Sequence, residues 1–279
     1  MSTTRKLKND CFSLPQGVDW TPLDEALLHL ENSLTPIVET EVLPIDLAVG
    51  RVLATDLQAV SDSPPFSNSA VDGYAFRFAD VCEKYLELKK GRAAAGHPFS
   101  YAIEKGQALR IFTGAVLPAG ADTVVLQEDV QVEGNKIYFG NSLNPGANTR
   151  TAGEDIKRGQ IIAFKRDHVT AFMAASSISS GIKRAEVYRK LKVGVFSTGD
   201  ELIDFEQPLK FGSVFDVNSP MLASLLTAWG YEVLELGKIP DNLEVLRDKL
   251  NKASETFDVL ITSGGASAGD EDHLASILN

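Results

Sequence analysis

Asp72 stands in the most heavily specified stretch of the chain, Pro64-Pro65-Phe66-Ser67-Asn68-Ser69-Ala70-Val71-Asp72-Gly73-Tyr74-Ala75-Phe76. The two prolines fix φ and remove two backbone donors. Asp72-Gly73 is turn chemistry, because Asp bonds nearby backbone and Gly accepts positive φ. Two readings follow. One is a tight hairpin beside a proline-stiffened edge; the other is a carboxylate held on a rigid loop for chemistry.

A second concentration of reactive types comes late in the sequence. It comprises Thr198-Gly199-Asp200-Glu201, Asp241, and the run Ser263-Gly264-Gly265-Ala266-Ser267-Ala268-Gly269-Asp270-Glu271-Asp272. A small-residue loop feeding a helix exposes backbone N–H groups and the positive end of the helix dipole, which suits an anion. Ser263, Gly264, Gly265, Ser267 and Gly269 are therefore candidate phosphate-binding residues, the glycines allowing close approach to the backbone. Asp200, Glu201, Asp241 and Asp272 are expected on one rim, where carboxylates suit Mg²⁺ bridging to phosphate oxygens. The same acids also suit helix caps and helix starts. The loop is not a Walker A motif, since no Gly-Lys-Ser/Thr follows, and it is not GxGxxG. Thr113-Gly114 and Gly153-Glu154-Asp155, the latter flanked by Arg150 and Arg158, each read singly as a turn. His29, His97, His168 and His273 form no ligand pattern. Cys11 and Cys82 give neither a disulfide framework nor a zinc site.

The elements that must position these residues change in kind along the chain. Thr21-Pro22-Leu23-Asp24 opens a helix, with Thr21 as cap and Pro22 at the first helical position. Leu23, Ala26, Leu27 and Leu30 form its apolar stripe, and His29 falls off it. From Glu39 to about Lys165, short apolar runs alternate with Gly, Pro and Asn, so this region reads as largely β. Leu109 to Phe112, Thr123 to Leu126, and Val130 to Val132 with Lys136 to Tyr138 are examples, and Glu133-Gly134-Asn135 is a hairpin turn. Asp167 to Gly181 reads as a helix with Val169, Phe172, Met173 and Ser176 to Ile178 inside and Gly181 as its stop. After about residue 186 strands and helices alternate: Leu191–Ser197, a helix from Ser219, Tyr231–Leu236, a helix from Asp241-Asn242, Phe257–Ser263, and a helix from Glu271. That alternation predicts a covered parallel sheet, with ligands outside the carboxyl ends of its strands.

A chain of 279 residues suits two or three domains. Its formal net charge of -11 argues against a nucleic-acid partner, because phosphate backbones select basic faces. The polar start has no apolar core of a secretory signal, and no run reaches the length of a membrane span. No membrane association and a cytoplasmic location are expected. A parallel sheet of three recognisable strands followed by a helix cut short suggests an incomplete α/β domain, hence a fragment or a truncated product of a longer protein.

The motifs, taken in order, resemble the MoeA family, the molybdopterin molybdenumtransferases related to the gephyrin E domain. The matching pieces are Pro64–Phe76, Ile111–Asp122, Gln127-Glu128, Arg150–Ile156, Phe196–Leu202, Asp216–Leu222 and Thr262–His273. The last is shared with the MogA-like pterin-binding fold. The resemblance implies a multidomain α/β plus β architecture. Residues 1–58 and 150–185 would form an extended linking (dimerisation) domain and 59–149 a β-rich domain. Residues 186–279 would form a partial MogA-like three-layer α/β domain with a mostly parallel sheet. The family's C-terminal β-barrel and its Pro-Gly-Lys-Pro segment are absent from the sequence. The implied activity inserts molybdate into adenylylated molybdopterin and releases AMP, with Mg²⁺. By matching, Asp72, Thr113, Asp155 and Glu201 would be catalytic, and Glu201, Asp241 and Asp272 would place Mg²⁺. A homodimer and a MogA-like adenylyltransferase acting upstream are the implied partners. A non-catalytic pterin-binding or dimeric scaffold of the same fold is the alternative.

Overall fold

The computed structural model describes residues 21–81, 84–140, 142–264, 274 and 277. The chain divides into two units, residues 1–39 and 40–279. In the first, α1 spans Leu23–Ser33. Thr21 is not its cap: Pro22 holds the N-cap position and no side chain bonds the first-turn N–H groups. The Leu23, Leu27 and Leu30 stripe is solvent-exposed, as is His29.

The second unit contains several hydrophobic cores. One is built from two distant segments, with Ile45, Leu53 and Leu57 packed among Ala163, Val169, Ala174 and Val187. Strand Thr40–Pro44 pairs antiparallel with Arg184–Tyr188, and Leu57–Gln58 pairs with Ile161–Ala163. Helix α2, Ala171–Ser179, starts later than the sequence suggests. The Asp167 carboxylate instead closes a turn by accepting from Phe164 N at 2.8 Å. The cap is Thr170, whose hydroxyl accepts from Met173 N at 3.1 Å. With that start, Ala174 and Ser177 face inward, while Phe172 and Ile178 point to solvent. Gly181 ends the helix as expected.

The next body is a six-stranded mixed sheet. Its strands are β1 Gly73–Phe76, β2 Leu86–Ala93, β3 Gln107–Ile111, β4 Thr123–Leu126, β5 Gln131–Glu133 and β6 Lys136–Tyr138. They lie in the order β4-β1-β3-β2-β6-β5, and only β2 with β3 is parallel. Both faces are covered. Ala75, Leu109, Ile111 and Val124 enter one core, and Phe76, Ala108, Val125, Leu86 and Ile137 enter the other. Double burial explains why Val124 and Val125 follow one another in β4 without a polar alternation.

The last body is a parallel sheet of β7 Lys192–Thr198, β8 Glu232–Ile239 and β9 Val259–Ser263, in the order β8-β7-β9. Helix α3, Asn218–Ala228, packs Leu226 against Val193 and Val195 on one face. Helix α4, Leu243–Ser254, packs Leu246 against Phe196 and Ile239 on the other, where buried Leu274 also sits. Helices thus cover both faces of this sheet. The cap of α4 is Asn242, which accepts from Glu244 N and Val245 N at 3.1 Å each. β8 runs past the Leu236 end expected from the sequence, with Gly237 inside it at a bulge opposite Phe196. The expected helix from Glu271 lies largely outside the described residues. Among the described residues, no helix is long and apolar enough to cross a membrane.

Candidate functional site

Antiparallel pairing places the first set of site residues. Gly73, at the start of β1, is opposite both Ile111 at the end of β3 and Leu126 at the end of β4. The residues just beyond those ends, Asp72, Thr113, Gln127 and Glu128, therefore gather at one end of the sheet. The hairpin reading of Asp72-Gly73 fails here, because Gly73 opens a central strand and its neighbours are not joined through it. Glycine is required for a different reason. A Cβ at Gly73 would stand 2.0 Å from the Val125 carbonyl oxygen.

The Asp72 carboxylate Oδ1 accepts from Thr113 N and from Thr113 Oγ1, both at 2.8 Å. The backbone N–H bond, then the hydroxyl, hold this carboxyl below the usual aspartate value, and the Arg110 charge adds to the effect. Asp72 O accepts from Gln127 N at 3.1 Å. Arg110 donates to Gly73 O at 3.2 Å and to Gln127 Oε1. Gln127 Nε2 in turn donates to Glu128 Oε1 at 2.9 Å. That amide, foremost, keeps the Glu128 carboxyl below its usual value against the repulsion of Asp72.

The proline pair and the Gly153-Glu154-Asp155 loop are laced together. The Ser63–Pro64 peptide is cis. Ser63 N donates to Ile156 O at 2.8 Å, and Gly153 N donates to Pro64 O at 2.9 Å. Asn68-Ser69 then pairs with Thr149-Arg150 on one side. On the other, Ser69 O accepts from Gly114 N at 2.8 Å and Ser67 O accepts from Leu117 N at 3.0 Å. One short segment thus joins the Thr113 turn to the Asp155 loop. Asp155 is held by Arg150 Nη2 at 2.5 Å, and Arg150 Nε also reaches Glu154 at 3.2 Å. Among the described residues, no hydrogen bond or ion pair links Asp155 to Asp72 or Thr113.

The second set lies on the α/β sheet. Thr198 pairs with Ile239 and Ser197 with Ser263, so the three strands end together. Glu201, Asp241 and Ser263-Gly264 follow those ends and share the carboxyl edge. Lys238 Nζ donates to Asp200 O at 2.8 Å and to Leu202 O at 3.0 Å, fixing the loop that presents Glu201. Asn218 Nδ2 donates to Ser263 Oγ at 2.7 Å. Gly264 has φ +99°, and a Cβ there would stand 2.8 Å from Thr198 O. Asp241 is exposed and makes no cap, a role taken by Asn242. Gly265, Ser267, Gly269 and Asp272 lie outside the described residues. Among the described residues, no group of three His, Cys, Asp or Glu side chains stands close enough to hold a metal ion. Glu201 and Asp241 are hard oxygen donors on one edge, a set that fits Mg²⁺ only with further oxygens from a bound phosphate.

Sequence reasoning missed Arg110 and Lys238. Each is the single cation of its strand, Gln107–Ile111 and Glu232–Ile239, but each strand also carries other polar residues that mask the signal.

Comparison with known proteins now bears on this arrangement. Residues 21–181 match the family described as MoeA N-terminal region (domain I and II), and residues 194–279 match a probable molybdopterin binding domain. The chain belongs to the MoeA family. It is 36% identical over 257 residues to a molybdopterin molybdenumtransferase of Haemophilus influenzae, covering 92% of this chain and 64% of that protein. It is 37% identical over 257 residues to one of Nostoc, covering 90% of this chain and 59% of that protein. A molybdopterin biosynthesis MoeA protein from Pyrococcus horikoshii superposes with a TM-score of 0.78 at 34% identity, covering 88% of this chain and 67% of that one. The chain therefore spans 64% and 59% of the length of those two curated relatives.

Proposed function

We propose that this protein acts in molybdenum cofactor biosynthesis, inserting molybdate into adenylylated molybdopterin with release of AMP. The observation that carries the reading is the fixed Asp72–Thr113 pair at the sheet end, in a chain that also matches a molybdopterin binding domain. The identity to molybdopterin molybdenumtransferases supports it. In this reading residues 1–58 and 150–185 are the linking domain, 59–149 the β-rich domain and 186–279 the MogA-like domain. The separate hydrophobic cores support that division, except that Val187 and the strand Arg184–Tyr188 carry the linking core past residue 185.

Asp72, Thr113 and Asp155 shape the molybdate and pterin side of the site. Asp72 acts as a firmly ionised acceptor, because two Thr113 donors stabilise its charge. Ser263 and Gly264 begin the loop that receives phosphate, with Gly265, Ser267 and Gly269 continuing it. Glu201, Asp241 and Asp272 would hold Mg²⁺ against the phosphate oxygens, where the ion would neutralise charge on the leaving phosphate. A homodimer supplied by a MogA-like adenylyltransferase, in the cytoplasm, completes the proposal. Exposed apolar side chains on the α/β body, Phe205, Phe211, Val217 and Trp229, support a protein partner there.

The test is molybdate-dependent AMP release from adenylylated molybdopterin in the presence of Mg²⁺. Release that depends on molybdate and falls when Asp72 is replaced by Asn supports the reading. Binding of adenylylated molybdopterin without any AMP release overturns it in favour of a non-catalytic scaffold.

A further inference from the structure

Arg110 is the charged residue of β3, and its surroundings are unusual for a strand cation. Its guanidinium carbon lies 5.1 Å from the Tyr74 ring centroid and 4.8 Å from that of Phe112. These rings give it a fixed seat. Its hydrogen bonds go to the Gly73 carbonyl and the Gln127 amide oxygen. Among the described residues it forms no ion pair, although both Asp72 and Glu128 feel its charge. A guanidinium is a planar fork that fixes the direction of what it bonds, whereas an ammonium is a point charge. One arm of the fork reaches the residue after Asp72. The other turns the Gln127 amide so that its NH₂ reaches Glu128 at 2.9 Å. Gln127 N also holds Asp72 O, which closes the circuit.

We infer that Arg110 is a positioning residue, acting through Gln127 on Glu128 and through Gly73 on Asp72. Glu128 is thereby presented beside Asp72 as a second carboxylate that accepts a hydrogen bond from the substrate. This rests on the molybdenum-transfer reading above. It goes beyond that reading by giving Glu128 a substrate contact and Arg110 control over it.

Two measurements on the protein test the inference. In the first, the carboxyl carbons of Asp72 and Glu128 are titrated by NMR in the unmodified protein, in Arg110→Lys and in Gln127→Leu. Arg110→Lys keeps the charge and loses the fork, so Glu128 should titrate at higher pH while Asp72, held mainly by Thr113, moves little. Gln127→Leu removes an exposed side chain, leaves Arg110 in place, and should reproduce the Glu128 shift. In the second, AMP release is followed in Glu128→Gln. kcat/KM should fall about tenfold or more, the equivalent of about 1.4 kcal/mol, with an unchanged thermal midpoint. Unmodified Glu128 titration in both Arg110→Lys and Gln127→Leu overturns the positioning role. Wild-type kcat/KM in Glu128→Gln overturns the substrate contact. If the unmodified protein releases no AMP, the molybdenum-transfer reading and the Glu128 contact fall together, and the titrations still decide the Arg110–Gln127–Glu128 relay.

Discussion

Two hydrogen bonds from a single threonine stabilise the charged form of Asp72, and they are separable. Thr113→Ala removes the hydroxyl and keeps the backbone N–H, which is the larger influence. The Asp72 carboxyl in Thr113→Ala should titrate above its wild-type value yet still below that of an ordinary aspartate. NMR titration reads this directly, and a fully ordinary value would show that the backbone bond is not formed. The sign for stability follows from linkage. A carboxyl depressed on folding stabilises the fold above its unfolded value, and that stabilisation is lost as pH falls through the folded value. Acid unfolding of Thr113→Ala should therefore be less steep between those limits. Asp72 drew notice in the sequence because it follows a proline pair and precedes a glycine, but its turn was misread. The local pattern carries no record that Gly73 pairs with both Ile111 and Leu126. Arg110 was missed for the same reason, since its partners Gly73, Tyr74 and Gln127 lie far from it in sequence.

Caps and close approaches decide matters among the elements. Asn242 caps α4, so Asn242→Ala should lower stability by about 1 kcal/mol. Asp241→Ala should leave stability unchanged and, on the proposed function, lower AMP release. Thermal unfolding of the two variants together separates a cap from a ligand at adjacent positions. Gly73→Ala should be far more damaging, by about 2–3 kcal/mol, because the added carbon meets backbone that cannot swing away. Thermal or denaturant unfolding checks it. The helices and parallel strands after residue 186 were readable because each is a local apolar run with its own start and stop signals. The start of α2 was misplaced because Asp167 spends its carboxylate on a turn with Phe164.

At the scale of the whole molecule, an ion pair ties Arg189, ahead of β7, to Asp258, just ahead of β9. Arg189 Nη1 and Nη2 donate to Asp258 Oδ2 and Oδ1, each at 2.8 Å, and Lys192 N also donates to Oδ2 at 2.8 Å. The Arg189 guanidinium foremost lowers the Asp258 carboxyl to about 2. Its stabilisation is complete above the unfolded aspartate value and fades as pH falls from about 4 toward 2. Arg189→Met should raise the pH midpoint of acid unfolding and cost about 1–2 kcal/mol near neutrality, allowing for the pair's partial contact with water. An unchanged midpoint would show that the pair contributes nothing. No sequence pattern announced this pair, nor the contact between Thr40 and Glu186, which are 146 positions apart.

The core shared by Leu53 and Leu57 with Val169 and Val187 has a consequence for how the chain is made. Its first half leaves the ribosome long before its second. The six-stranded sheet lies wholly between them and buries its own two cores. Synthesis therefore finishes the inserted sheet while its carrier is still half a fold, and Leu53 and Leu57 stay uncovered until the segment from Ala163 to Val187 begins to emerge. A ribosome stalled before Ala163 would hold a folded sheet on a stem whose apolar face is still open.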